Sequence, residues 1–488
     1  MMSVPSPVSR AIGRVARAIL AVTAVACGGS GDRDPDGGPL PTQPAVPALA
    51  AVATVTVAPA AVPLAVGGSQ QLTATLRDAA GNVLSERTVA WNSSASNVAT
   101  VSVTGLVTGR AAGTATITAT SEGKSGSVNS AIPAAVATFA SLTAGGDHAC
   151  GLTAGGGTVH CWGNNAWGQL GDGTVANRTT AVPVAGSLVF NSVTAGYYHT
   201  CGLTPAGVAH CWGYNLNGQL GDGTTNNRST PAPVAGDAAF TGLAAGYYHT
   251  CGVTARRAAQ CWGYGVTGQL GDGTMTDLSI PATVAGSTEF SSVTAGYWHS
   301  CGISTSGAAY CWGNNNWGQL GDSTRSINRA TPVPVLGTMV FAALGAGGRH
   351  SCGLATGGAA HCWGYGVFGQ LGSGVATTLL SPTLVTGGLA IASISVGWYH
   401  ACALTTGGVA YCWGNNDRGQ LGDGTTTARL SPVPVVGGLA FASLTSGVDY
   451  TCGRTTEGAA YCWGYGLDGQ LGDGATTNRT VPTPVLRR

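Results

Sequence analysis

Charge is scarce in this sequence. Charged residues are 8% of its 488 positions, against about 25% in an average soluble domain. Twenty-one lysines plus arginines oppose 20 aspartates plus glutamates, for a net charge of +1. A basic nucleic-acid binder needs many cations to displace phosphate counterions, so that class is excluded. Lysine is nearly missing, since only Lys124 occurs. Catalytic signatures are missing too: there is no Gly-x-Ser-x-Gly elbow, no His-Glu-x-x-His helix and no intact phosphate loop. Gly123-Lys124-Ser125 ends like such a loop, but Thr118 stands where its first glycine belongs. We therefore expect neither an enzyme nor a cofactor. Glycine is what abounds. Seventy-nine glycines and 22 prolines make about a fifth of the chain, too many turn formers for long helices. With 44% hydrophobic residues the chain can still bury a core, which excludes charge-driven disorder. The composition predicts an all-β, turn-dense protein.

The N-terminus reads as an address. Arg10, Arg14 and Arg17 precede an apolar run, Ala18 to Ala26, that ends in small residues before Cys27. This is the anatomy of an export signal peptide over residues 1–26. The run falls far short of the roughly 20 residues a membrane-spanning helix needs. The small residues with Cys27 resemble the lipobox of bacterial lipoproteins, whose cysteine receives lipid. Ala24 replaces the usual leucine, which leaves simple signal cleavage open. Residues 27–51, rich in glycine, proline and alanine, have the composition of a flexible linker. Within them Asp32-Arg33-Asp34-Pro35-Asp36-Gly37 opens like a calcium-binding loop, but Gln43 occupies the position of the closing glutamate.

From residue 52 to 133, short β-branched runs alternate between turn signals about ten residues apart, the pattern of a small β-sandwich. Leu64-Ala65-Val66-Gly67, Gln71 to Thr75, Val89-Ala90-Trp91-Asn92-Ser93 and Gly105 to Gly109 resemble the bacterial immunoglobulin-like group 2 family. That resemblance implies a spacer or adhesive module with Trp91 in its core. Residues 139–488 then repeat themselves every 50 or 51 residues, beginning at Phe139, Phe190, Phe240, Phe290, Phe341, Ile391 and Phe441. Each unit offers four short strands, which cannot bury both faces alone. Seven units arranged radially can, which predicts a seven-bladed β-propeller. Ala-Gly-x-x-His and Trp-Gly-x-Asn-x-x-Gly-Gln-Leu-Gly at this period resemble the regulator of chromosome condensation repeat, which implies the same seven-bladed architecture.

Fourteen of the 15 cysteines form one pair per repeat. The pairs are Cys150 with Cys161, Cys201 with Cys211, Cys251 with Cys261, Cys301 with Cys311, Cys352 with Cys362, Cys402 with Cys412, and Cys452 with Cys462. A three-residue loop Pro205-Ala206-Gly207 closes Thr204 on Val208 and brings Cys201 opposite Cys211. The first spacing is one residue longer, as is its turn, Ala154 to Gly157, so Cys150 still faces Cys161. Zinc sites favour closer cysteines, so we expect seven disulfides and an oxidising compartment. Cys27 is left over, which favours its lipidation over a free thiol.

Histidines 148, 199, 249, 299, 350 and 400 recur once per repeat, with Tyr450 in the seventh. A residue repeated in register is expected to be architectural, and the family resemblance assigns this histidine to blade packing. We expect no metal. Aspartates 172, 222, 272, 423 and 473 of Gly-Asp-Gly are expected to set turns. What varies between repeats lies in two loops that should share one propeller face. One contributes Asp147, Tyr197, Tyr198, Tyr247, Tyr248, Tyr297, Trp298, Arg349, Trp398, Tyr399 and Asp449. The other contributes Trp167, Leu216, Val266, Trp317, Phe368, Asp417, Arg418, Leu467 and Asp468. Tyrosine, tryptophan and arginine are enriched at binding hot spots.

The expectation is a surface-tethered or secreted bacterial binding protein, a monomer, whose aromatic loop face meets an extracellular protein. It touches a membrane only through a lipid anchor. The alternative is a carbohydrate-binding or carbohydrate-cleaving propeller, for which Asp417, Asp449 and Asp468 are the face carboxylates. The family's founder exchanges guanine nucleotide. The uniform repeats, the lack of a basic surface and the export signal argue against that activity here.

Overall fold

A computed structural model describes residues 49–155 and 157–487. The export segment, Cys27 and the linker up to residue 48 lie outside the described residues. Every described element of regular structure is a β-strand. No helix among the described residues is long and apolar enough to cross a membrane.

The immunoglobulin-like part is built around a hairpin, Gly113–Ser121 and Lys124–Ile132. Its two-residue turn has Glu122 at φ 48° and Gly123 at φ 78°, the left-handed pair a tight hairpin requires. Gly123-Lys124-Ser125 is therefore turn and strand. Along the first arm Ala115, Ile117, Ala119 and Ser121 are buried in alternation, as period-2 patterning demands. This hairpin pairs with Ala61–Pro63 on one side and Ala90–Ser93 on the other. Ser69–Gln71, Leu106–Gly109 and Ala99–Val101 form a three-stranded sheet, and Thr54–Ala58 pairs with Thr73–Arg77. Val62, Leu72, Val107, Ile117 and Val128 make the core, and Trp91 packs against it half-buried.

The seven repeats form seven four-stranded antiparallel blades. The second blade is typical, with strands Ser192–Ala195, His199–Leu203, Ala209–Gly213 and Arg228–Pro233 in that spatial order. The first strand of each blade packs on the second strand of the preceding blade, and the seventh blade packs on the first, closing the ring. Closure uses both ends of the propeller. Ala135–Val136 pairs with Leu486–Arg487, which in turn joins the outer strand of the first blade at Ala181. Phe139 N–H also donates to Gly458 C=O in the seventh blade. The outer strands carry prolines such as Pro183, Pro231 and Pro434, which blunt exposed sheet edges.

All seven expected disulfides are present, each joining the second and third strands of one blade. Cys150 is bonded to Cys161, Cys201 to Cys211, Cys251 to Cys261 and Cys301 to Cys311. Cys352 is bonded to Cys362, Cys402 to Cys412 and Cys452 to Cys462. The Cα atoms of each pair lie 4.0–4.1 Å apart, the close approach of directly opposed strand residues. The turn expected at 205–207 forms. Thr204 N–H donates to Val208 C=O at 3.0 Å, and Gly207 has φ 80°. The longer first turn also leaves Cys150 paired with Cys161. Disulfides buried in every blade fit an oxidising, extracellular setting.

Candidate functional site

The repeated polar residues are consumed by blade contacts. Each buried tryptophan of the Trp-Gly motif donates its indole N–H to the glutamine carbonyl of the preceding blade, as Trp212 does to Gln169 at 3.0 Å. That carbonyl also accepts the Thr200 hydroxyl at 2.8 Å. Thr200 then meets Nε2 of His148 at 2.8 Å. Because the hydroxyl proton is given to the carbonyl, the hydroxyl accepts from an Nε2–H. His199, His249, His299 and His400 repeat the arrangement with Thr250, Ser300, Ser351 and Thr451. Burial pushes the imidazoles down to about 3, so they are neutral. Tyr450 replaces histidine at ring closure and donates to the His148 carbonyl. The fifth blade departs from the pattern. His350 faces Ala401, so its ring has no hydroxyl partner of the kind the other blades supply.

The Gly-Asp-Gly aspartates do more than set turns. Asp172 accepts from the N–H and hydroxyl of Thr174 and pairs with Arg178 at 2.6 Å. Equivalent pairs are Asp222–Arg228, Asp423–Arg429 and Asp473–Arg479, and Asp322 pairs with Arg329. Burial opposes ionisation of Asp172, but its hydrogen bonds hold the carboxyl below its ordinary value. Asp272 has Leu278 where the arginine would be. Sequence reasoning missed these pairs, although arginine recurs six or seven residues after the aspartate in five repeats.

Rings of the two variable loops touch one another, as Trp167 does Tyr198 and Phe368 does Tyr399, and they fall into two tiers. The residue directly after Ala-Gly turns toward the central channel. Tyr197, Tyr247, Tyr297 and Trp398 stack there, with centroids 4.0 Å apart for Tyr197–Tyr247, 3.9 Å for Tyr247–Tyr297 and 4.7 Å for Tyr297–Trp398. They line a channel cavity of about 300 Å³ whose walls are the first strands of all seven blades. Glycine at the same position in two other blades makes room: a Cβ on Gly146 or Gly348 would strike Tyr197 or Trp398. Burial raises the tyrosine hydroxyls of Tyr197 and Tyr247 far above their ordinary value, so they remain neutral.

The next residue along turns to the loop face. Tyr198 and Trp167 both pack on Tyr214, and Tyr214 continues to Tyr248 and Tyr264. Across the face Trp317 packs on Tyr365, which meets Phe368 and Tyr399. Arg349 and Arg325 lie over the Trp317 ring at 5.6 and 5.9 Å. Trp298 packs edge-on against Tyr297 at 4.2 Å. Tyr214, Tyr264 and Tyr365 escaped sequence reasoning. Their signal was the residue after Trp-Gly, which switches between asparagine and tyrosine among repeats.

Most of these rings are half-buried, whereas the loop tips are exposed. Leu216, Val266, Val367 and Leu467 occupy one equivalent tip position with relative exposures of 59%, 49%, 50% and 54%. Trp167 and Phe368, one residue further along, are 38% and 37% exposed. The seventh and first blades differ, bringing Asp147, Asp449 and Asp468 together around Tyr465, with Arg418 over that ring at 5.6 Å. Asp417 beside Arg418 is exposed.

Comparison with known proteins follows the same division of the chain. A family model for the regulator of chromosome condensation (RCC1) repeat matches residues 156–203, 206–253, 261–303, 306–354, 357–404, 407–454 and 457–487. A second model of that repeat matches 139–169, 190–219, 290–319, 341–370 and 391–420. The bacterial Ig-like domain (group 2) model matches 51–131. Among solved structures, human WBSCR16 is 23% identical with a TM-score of 0.59, covering 67% of this chain and 87% of its own. Yeast RCC1 (Prp20), in its complex with Kap60, is 20% identical with a TM-score of 0.61, covering 72% and 85%. Prp20p from Saccharomyces cerevisiae in a separate structure gives 21%, 0.60, 72% and 88%. No curated protein sequence matches the chain.

Proposed function

The chain belongs to the regulator of chromosome condensation (RCC1) repeat family, and from that premise we propose that it is an exported binding protein, not an enzyme. Its propeller presents the variable loop face to a protein partner, and the linker and immunoglobulin-like domain connect it to a lipid-anchored N-terminus. One observation carries the reading. Residues that repeat are buried in blade contacts, whereas the loop after Trp-Gly differs between blades and exposes Leu216, Val266, Val367 and Leu467, with Trp167 and Phe368 beside such tips. Exposed apolar concentrations rimmed by polar groups are the physical mark of an interaction site. Yeast RCC1 (Prp20), a relative in fold, is seen bound to Kap60, another protein.

A second reading is carbohydrate binding, favoured by Trp167 and Phe368, whose exposed rings could stack on sugars. The test is capture from culture medium and cell-surface extracts by the full chain, run beside a glycan array. The comparison protein carries Trp167→Ala and Phe368→Ala. A protein retained by the native chain and lost by the variant supports the proposal. Face-dependent glycan binding would support the second reading. Identical captures by both proteins would overturn each.

A further inference from the structure

The central channel is the one place where all seven blades leave polar groups open together. Its cavity of about 300 Å³ is walled by their first strands. That volume lies at the small end of the range of ligand pockets, roughly 300–1,000 Å³. A first strand has no strand beside it on the channel side, so some of its backbone groups go unpaired in the sheet. Hydroxyls of the neighbouring blade take up several of these. Thr143 Oγ1 accepts the N–H of Ala195 at 3.0 Å, and Thr194 Oγ1 that of Ala245 at 3.3 Å. Thr445 Oγ1 accepts from Ala144 at 3.0 Å, and Ser395 Oγ from Ser446 at 2.8 Å. Each of these four hydroxyls still has its own proton to give, and none has an acceptor for it among the described residues. The Thr294 hydroxyl makes no hydrogen bond at all among the described residues. Ala244 and Gly345 hold the equivalent place in the third and fifth blades, so the N–H groups of Ala295 and Val396 face no hydroxyl.

Two further features limit what can answer these donors. No lining residue is charged, so a charged guest would leave water without gaining a counter-ion. At the loop-face end the lining turns aromatic, where Tyr197, Tyr247, Tyr297 and Trp398 pack ring on ring. Water would satisfy the hydroxyls but would leave the ring surface wetted.

We propose that the channel binds one small, neutral, polyhydroxylated molecule the size of a single sugar ring. The hydroxyls of Thr143, Thr194, Thr294, Ser395 and Thr445 hold its oxygens, and its C–H face lies against the aromatic end. A guest hydroxyl both accepts and donates, so it takes a proton from the wall and returns one. The acceptors for that second bond are on the same strand edges. A strand residue whose N–H points away from its neighbour in the sheet points its C=O the same way, as Ala144, Ala195 and Ala245 do. The site is separate from the exposed rings Trp167 and Phe368 of the loop face, and it does not depend on what that face binds.

The test is isothermal titration of the disulfide-intact full chain with D-glucose, D-galactose, D-mannose and myo-inositol. D-glucosamine and D-glucuronate are run beside them as cationic and anionic forms of the same ring. At least one uncharged member should bind one to one, about tenfold or more tighter than either charged ring. Thr294→Val removes a hydroxyl that bonds to nothing in the protein, so it should melt with the native chain and bind roughly threefold or more weakly. Thr143→Val/Thr445→Val removes two hydroxyls and should cost about tenfold or more. Trp167→Ala/Phe368→Ala should bind the sugar as the native chain does. The proposal is overturned if no uncharged member binds, if a charged ring binds as tightly, or if Thr294→Val keeps native affinity. Binding lost in the Trp167→Ala/Phe368→Ala variant but kept in the lumen variants would also overturn it, and would place the sugar on the loop face.

Discussion

At the scale of single residues, repetition and variation have different physical meanings. Six histidines are buried neutral, five of them each tied to a hydroxyl on the next blade. Their folded values, about 3, lie below the ordinary value of roughly 6.5, so the unfolded chain binds more protons between these limits. Stability therefore rises with pH across that window and is lost as pH falls through it. The melting temperature should drop as pH is lowered from 7 to 5, and a flat profile would show the rings to be hydrated. The odd residue gives a sharper test. Ala401→Thr restores the hydroxyl that His350 lacks, bridging it to the Gln370 carbonyl as in the other blades. Denaturant unfolding with disulfides intact should show a gain of about 1 kcal/mol. A loss would mean that this junction is packed differently.

Among the elements, the hairpins were the most legible part of the fold. Turn length, glycine position and cysteine spacing constrain one another, so Cys201 opposite Cys211 follows from counting. The same count places Cys261, Cys311, Cys362, Cys412 and Cys462 opposite their partners in the later blades. The third repeat breaks the turn rule, because Arg257 holds the left-handed position at φ 64° that Gly207 holds in the second. Left-handed backbone costs a side-chain-bearing residue about 1–2 kcal/mol, and glycine gives back about 0.5–1 kcal/mol in unfolded entropy. Arg257→Gly should thus stabilise slightly, by up to about 1 kcal/mol in equilibrium unfolding, with no change in binding. The loops were less legible. Tyr197 and Tyr198 are adjacent in a tight turn, one facing the channel and the other the loop face, and no strand or helix period separates them. The four stacked rings of the channel mouth were thus inseparable in sequence from those of the face. The Asp172–Arg178 pair spans an irregular loop, so its partners could be seen to recur without being seen to meet.

On the scale of the whole molecule, seven nearly equivalent blades leave function to whatever breaks the symmetry. The ring is closed by strands from both ends of the propeller, and every blade carries its own disulfide, which suits a protein working outside the cell. If Cys27 anchors the chain, mass spectrometry of membrane-fraction protein should find a mature N-terminus there carrying lipid; an unmodified terminus near that position would remove the anchor. Symmetry is broken on one face: apolar tips at Leu216, Val266, Val367 and Leu467, aromatic tips at Trp167 and Phe368, and acids between the seventh and first blades. The most direct test compares Trp167→Ala/Phe368→Ala with His299→Ala, measuring partner affinity and thermal unfolding side by side. The face variant should unfold near the native temperature and bind at least about thirtyfold more weakly, the loss of about 2 kcal/mol expected of an interface anchor. His299→Ala should melt earlier, and its folded fraction should bind normally. A face variant that binds with native affinity, or a folded His299→Ala protein that cannot bind, would contradict the assignment of function to this face.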